Sequence, residues 1–231
     1  MLPQASTAAR GVDTIFFALC GLAAGIILLL FALIVGFALV YRRGSNAKRG
    51  PLGRLATREI EIGWTVATLF TFLFLFWWAA SAHVSGLAAP KNAAEIHVVA
   101  KQWMWKFEHP SGAREINELH LPARTPVRLV MISQDVIHSF FVPAFRVKQD
   151  ILPGRYTELW VEPTTPGLYR LECAEYCGTD HASMTGRVIV MAPSSYASWS
   201  TREETAPFAS GAALFSRFGC AQCHQPGAAV R

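Results

Sequence analysis

Two long runs without a charged side chain dominate what this chain can fold into. The first extends from about Ile15 to Tyr41 and the second from Ile62 to about His83, and each exceeds the ~20 apolar residues that cross the hydrocarbon core of a bilayer. A backbone in lipid has to satisfy its own N–H and C=O groups, so both runs are predicted as helices, about 15–41 and 62–83. Trp77 and Trp78 near the end of the second run suit a membrane interface. The segment between them, 42–58, carries Arg42, Arg43, Lys48, Arg49, Arg54 and Arg58, and such a basic loop is expected on the cytoplasmic side. Both termini are then expected on the outer side. The first run is longer than the apolar core of a signal peptide and has no basic cluster before it, so it is read as a retained helix.

From Ala94 to Met191 the pattern changes to short β-branched and aromatic stretches separated by Pro and Gly. Candidate strands are 95–99, 104–109, 115–119, 127–132, 156–161, 167–172 and 186–191, a spacing typical of a β-sandwich. About a hundred residues suffice for one core of their own. The predicted class is therefore a membrane-anchored all-β protein, a two-helix transmembrane hairpin followed by a sandwich. The domain at 91–193 holds eleven Lys/Arg against eleven Asp/Glu, so the net charge of +5 arises outside it, chiefly in the basic loop. That distribution gives no reason to expect a nucleic-acid partner.

The chemistry is concentrated in Cys173-Ala-Glu-Tyr-Cys177-Gly-Thr-Asp-His181-Ala-Ser-Met184. Thiolate and thioether sulfurs select copper, and imidazole suits it as well. Two cysteines four residues apart, with Gly178 free to turn, can aim both sulfurs at one point, and each thiolate can bridge two metals. His138, in Asp135-Val-Ile-His138-Ser-Phe-Phe, can add a nitrogen from another loop, Met184 can serve as a weak axial ligand, and a carbonyl such as that of Glu175 can complete the set. A Cys173–Cys177 disulfide and a zinc site with His181 remain open on the residues alone. The first leaves both histidines unexplained and the second leaves Met184 without a role.

The loop C-A-E-Y-C-G-x-x-H-x-x-M, with D-V-x-H-S-F upstream, resembles subunit II of haem-copper cytochrome c oxidases. The resemblance covers nearly the whole chain and implies a cupredoxin-like Greek-key β-sandwich. It further implies a binuclear copper A centre, with His138 and Met184 on one copper, His181 and the Glu175 carbonyl on the other, and Cys173 and Cys177 bridging. The Glu175 carboxylate is then expected at a magnesium ion on the border with subunit I. Quinol-oxidising relatives lack this copper set, so its completeness implies cytochrome c as donor.

Further roles follow from the same resemblance. Trp103 is expected to take up electrons from cytochrome c, with Trp105 as support; by alternation both would face one side of a strand, and sandwich core is the plain structural reading of each. Glu61 is expected at the mouth of a proton channel into subunit I, although an acid near a helix N-terminus is also favourable without any function. Subunit I, and with it subunit III, cytochrome c and membrane lipid are the implied partners. The implied activity is that of a bacterial plasma-membrane oxidase that reduces oxygen with proton translocation, the copper domain being periplasmic. A copper A subunit of a nitric oxide reductase complex and a membrane-tethered copper-handling protein are the alternatives.

The chain's last part holds Cys220-Ala-Gln-Cys223-His224, the attachment signature of covalent haem c. Only seven residues follow His224, and all five methionines precede it. The segment 211–231 is therefore read as the start of a cytochrome c domain cut short, after a Ser/Ala/Thr-rich linker at 194–210, with the anchor occupying 1–90.

Overall fold

The computed structural model describes residues 3–48, 50, 53–205, 215 and 220. Two compact units make up the chain, residues 10–87 on one hand and residues 88 onward together with the first nine on the other. Helices α1 (Thr7–Val40) and α2 (Arg54–Ser85) account for nearly all of the first unit.

With 34 and 32 residues at ~1.5 Å per residue, the helices exceed the ~30 Å of a hydrocarbon core. Both are long and apolar enough to cross a membrane. Ile34, Phe70, Phe72 and Phe76 lie exposed on them. Helices apolar around their circumference need lipid or another helix as their surroundings. The few polar side chains turn inward on the helix itself: the hydroxyls of Thr65, Thr68 and Thr71 each donate to the carbonyl four residues back at 2.8 Å. Both helices begin earlier than the apolar runs, because hydrogen bonding and capping, not apolarity, set helix ends. At α1 the Ala9 amide donates to Ser6 Oγ at 3.2 Å, an N-cap interaction. Glu61 consequently lies two turns inside α2 rather than at its start.

The β-domain is a sandwich of two five-stranded sheets. One contains β1 (Ala94–Lys101), β2 (Met104–Glu108), β3 (Arg114–Ile116), β5 (Val127–Ser133) and β8 (Thr157–Val161), in the order β3-β2-β1-β5-β8. The other contains β4 (Glu118–Pro122), β6 (His138–Val142), β7 (Val147–Ile151), β9 (Gly167–Cys173) and β10 (Thr185–Met191), in the order β4-β10-β9-β6-β7. The β1/β5 and β4/β10 pairs are parallel and the others antiparallel.

Alternation along each strand selects the core. Val127, Leu129 and Met131 of β5 point inward together with Ile96, Val98, Trp105, Phe107, Leu119, Leu171 and Val188. Each such fully buried large side chain contributes about 1.5–3 kcal/mol. Residues 3–9 also belong to this unit. The Ala5 amide donates to the Ala144 carbonyl at 2.9 Å, the Thr164 amide to Ala5 at 2.8 Å and the Thr7 amide to Glu162 at 3.1 Å. Ala5 itself is wholly buried.

After β10 the residues expected to form a linker begin as a helix, α3 (Pro193–Thr205). Of the haem-attachment motif, Cys220 is described, and Cys223 and His224 lie outside the described residues.

Candidate metal centre

Strand register brings the sulfur-rich loop to His138. The strands β9 and β10 form an antiparallel pair in which Glu172 faces Thr185, so residues 173–184 form the connection between them. The Cys173 amide closes its base by donating to the Met184 carbonyl at 3.2 Å. On the other side of β9, Phe140 of β6 pairs with Cys173, which sets His138 against the loop. His138 opens β6, a strand that the spacing did not predict.

The donor atoms converge. Cys173 Sγ and Cys177 Sγ lie 3.8 Å apart, beyond a disulfide bond, and both cysteines are free. His138 Nδ1 is 3.9 Å from Cys173 Sγ, and His181 Nδ1 is 3.4 Å from Cys177 Sγ. Met184 Sδ stands 3.7 Å from Cys177 Sγ, and the Glu175 carbonyl oxygen 3.2 Å from Cys173 Sγ. Each sulfur thus has one imidazole and one weaker donor beside it, and the donor atoms of His138, Cys173 and Cys177 lie within 4.8 Å of one another.

Burial and electrostatics fit a cation here. His138, Cys177 and Met184 are buried. Burial, the neighbouring Cys173 thiol and the charge of Asp135 push the Cys177 thiol up to about 12. Such a thiol yields its proton readily only to a metal that replaces it.

The groups around the donors fix their orientation. Asp135 Oδ1 lies 2.8 Å from His138 Nε2, leaving Nδ1 facing the sulfurs. The same carboxylate accepts the amides of Gln102 at 2.8 Å and Val136 at 2.7 Å. Partial burial opposes the charge of Asp135, but the Gln102 amide, His138 and the Val136 amide outweigh it and hold the carboxyl below its ordinary value. The Cys177 carbonyl accepts from Gln102 Nε2 at 2.8 Å and from Trp103 Nε1 at 3.2 Å. Gly178 follows at φ +115°, where a Cβ would stand 2.9 Å from Gln102 Nε2, so only glycine lets the loop pass this close. Gln102 carried no sequence signal, since its role depends on a contact 75 residues away.

The two tryptophans part company. Trp103 occupies the turn between β1 and β2 rather than a strand, half-buried against the loop. Trp105 is wholly buried, edge-on to His138 with centroids 6.3 Å apart and to Phe140 at 5.7 Å. Alternation fails to align them because the chain reverses at 102–103. Glu175 is exposed, and Glu61 lies exposed on α2 in the other unit.

A family model described as cytochrome c oxidase subunit II, periplasmic domain, matches residues 113–192, a stretch that contains His138, Cys173, Cys177, His181 and Met184. The alternative cytochrome c oxidase subunit 2 of Bradyrhizobium diazoefficiens is 33% identical over 150 residues, 52% of this chain and 54% of the relative. Cytochrome c oxidase subunit 2 of Alkalihalophilus pseudofirmus is 28% identical over 218 residues, 87% of this chain and 63% of the relative. The chain therefore spans somewhat more than half the length of these relatives. Among solved structures, the periplasmic domain of subunit II of cytochrome oxidase from Bradyrhizobium japonicum matches at 30% identity and a TM-score of 0.48, over 51% of this chain and 97% of that one. The sulfur and imidazole donors that the fold draws together all fall within residues 113–192, the stretch over which this chain matches the periplasmic domain of the cytochrome c oxidase subunit II family.

Proposed function

We propose that the β-domain is the electron-accepting copper module of a terminal oxidase, receiving single electrons from cytochrome c and handing them to the haem of subunit I. The observation that carries this reading is the pair of sulfurs 3.8 Å apart with an imidazole nitrogen beside each. His138 and Met184 would hold one copper, His181 and the Glu175 carbonyl the other, with Cys173 and Cys177 shared. Bound there, a copper pair supplies one-electron redox chemistry.

The chain's own residues do the remaining work. Donors come from two packed segments, the start of β6 and the β9–β10 connection, and Asp135 fixes the His138 ring, which keeps reorganisation small. Burial of His138, Cys177 and Met184 keeps water off the sulfurs. With every donor supplied by protein, no position is left for substrate, so oxygen reduction belongs to subunit I. Trp103, half-exposed and bonded through Nε1 to the Cys177 carbonyl, is suited to take up the electron, and Trp105 to support His138. The exposed Glu175 carboxylate is available to a magnesium ion at the border with subunit I.

The remaining assignments complete the reading. The helices anchor the subunit beside subunits I and III in a bacterial plasma membrane. Residues 3–9 and the β-domain form one unit, which supports a hairpin with both ends on the periplasmic side. Glu61 would stand at a proton channel serving proton translocation by the complex, and Cys220, Cys223 and His224 would attach haem c.

Copper content and electron paramagnetic resonance of the full chain in detergent test the proposal. Two coppers sharing one unpaired electron are expected. A single localised copper, or zinc alone, would overturn it in favour of a metal-handling protein.

A further inference from the structure

A second buried polar cluster, sharing no residue with the metal centre, lies where α3 covers the β-domain. His109 follows β2, Glu115 belongs to β3 and His120 to β4. The side chains of His109 and Glu115 are 0% and 9% exposed, and that of His120 13%. His109 Nε2 is 2.8 Å from one Glu115 oxygen, and His120 Nδ1 bonds the other. The His120 amide adds a third donor at 3.0 Å.

The helix α3 closes over this group. Tyr196 Oη meets His109 Nδ1 at 3.0 Å. The Trp199 ring stacks on His120, centroids 4.4 Å apart and planes at 19°, and stands edge-on to His109 at 5.0 Å. One turn on, Ser200 Oγ donates to Ser111 Oγ at 2.8 Å.

Donor and acceptor roles are fully determined by the carboxylate. An ionised carboxylate only accepts, so His109 donates from Nε2 and presents Nδ1 to the Tyr196 hydroxyl, while His120 donates from Nδ1. Three N–H groups from two elements thus converge on one charge. A proton on Glu115 would bring a fourth donor into the group. Protonation of either ring, by contrast, preserves its N–H toward Glu115.

We propose that the His109–Glu115–His120 cradle is a docking site for α3 that holds only while Glu115 is charged, so that α3 is fixed on the β-domain at neutral pH and released in acid. Burial opposes the charge of Glu115, but His109, His120 and the His120 amide outweigh it and hold the carboxyl below its ordinary 4.5. Tyr196, pushed up to about 12 by burial and by Glu115, remains a donor throughout. His109, His120 and Tyr196 are the titratable groups facing Glu115 from the elements packed on it. Nearby, Arg114 pairs with Glu108 and Arg187 with Glu118.

Hydrogen exchange of the full chain in detergent, corrected for intrinsic rates, tests the proposal. In the wild type, protection of the amides of residues 194–202 is expected to fall as pH drops from neutral through the lowered range of Glu115 to about pH 3, while β4 and β10 stay protected. The Glu115→Gln variant is expected to lose about 10- to 100-fold of that protection already at neutral pH, the loss of a charge-assisted hydrogen bond. His120→Phe, which keeps a ring beneath Trp199 but drops one donor, is expected to fall between. Trp199→Ala, which leaves the β-domain's own contacts intact, is expected to free α3 at every pH. Equal protection of α3 at both pH values, wild-type protection in Glu115→Gln or Trp199→Ala, or loss of β4 and β10 in step with α3 would each overturn it.

Discussion

Replacing Asp135 by alanine tests whether the imidazole of His138 is held by its neighbour or by the metal alone. The carboxylate accepts from the Gln102 amide, the Val136 amide and His138 Nε2 at 2.7–2.8 Å. Each hydrogen bond to a charged group is worth about 1.5–3 kcal/mol. The Val136 amide lies at the surface, where water replaces the carboxylate, so its share is small. His138 is wholly buried and its Nε2 would face no partner. The Gln102 amide anchors the turn that clasps Cys177. Non-additivity within one network lowers the sum, giving about 2–4 kcal/mol of stability lost. Loss of an outer partner of a ligand histidine lowers metal affinity by about 10- to 100-fold. Denaturant unfolding of the apoprotein and copper competition against a calibrated chelator measure the two effects on the full chain. Wild-type copper affinity, within about twofold, together with unchanged stability would refute this account of the His138 orientation.

Three further outcomes follow from the same geometry. Copper loading at neutral pH should release protons, because the Cys177 thiol, pushed up to about 12, must give up its own; apparent affinity should therefore rise with pH, readable with a pH-indicator dye and by competition at two pH values. Trp105→Ala should cost about 3–5 kcal/mol, as for a large aromatic removed from a core. Trp103→Ala should cost far less stability but, on the proposed function, slow electron uptake from reduced cytochrome c; equal effects of the two substitutions on both measurements would contradict the division of roles drawn from their burial.

The convergence of the sulfur-rich loop is legible in the sequence because its donor atoms are close together and spaced for one turn. His138 is legible as a residue but not as the opening of a strand. His138–Val142 mixes polar and aromatic side chains, and its burial comes from lying between β7 and β9, a relation no local window contains. Trp103 and Trp105 mislead for a related reason, since period-two alternation presumes an uninterrupted strand. The helix ends were missed because apolarity marks where lipid is needed, whereas Ser6 and the backbone decide where a helix starts. At 193–205 the Ser, Ala and Thr content is compatible with a linker, and Tyr196 and Trp199 gain partners only when His109 and His120 arrive from β2 and β4. Those two histidines and Glu115 form no motif. Their association depends on the bend between β3 and β4, where Asn117 takes φ +57° and offers its side-chain oxygen to the Trp105 amide at 2.8 Å.

The strap at residues 3–9 imposes an order on biogenesis. Its hydrogen bond from Ser6 to the Phe145 carbonyl joins residues 139 apart in sequence, with both apolar helices synthesised between them. Residues 3–9 must therefore wait, on the side where the sandwich folds, until two hydrophobic segments have been disposed of and most strands have appeared. Closure of so long a loop is slow compared with local pairing, so the β-domain is finished late, after its anchor. A bulky fusion directly ahead of residue 3 would burden that last step while leaving both helices free to insert.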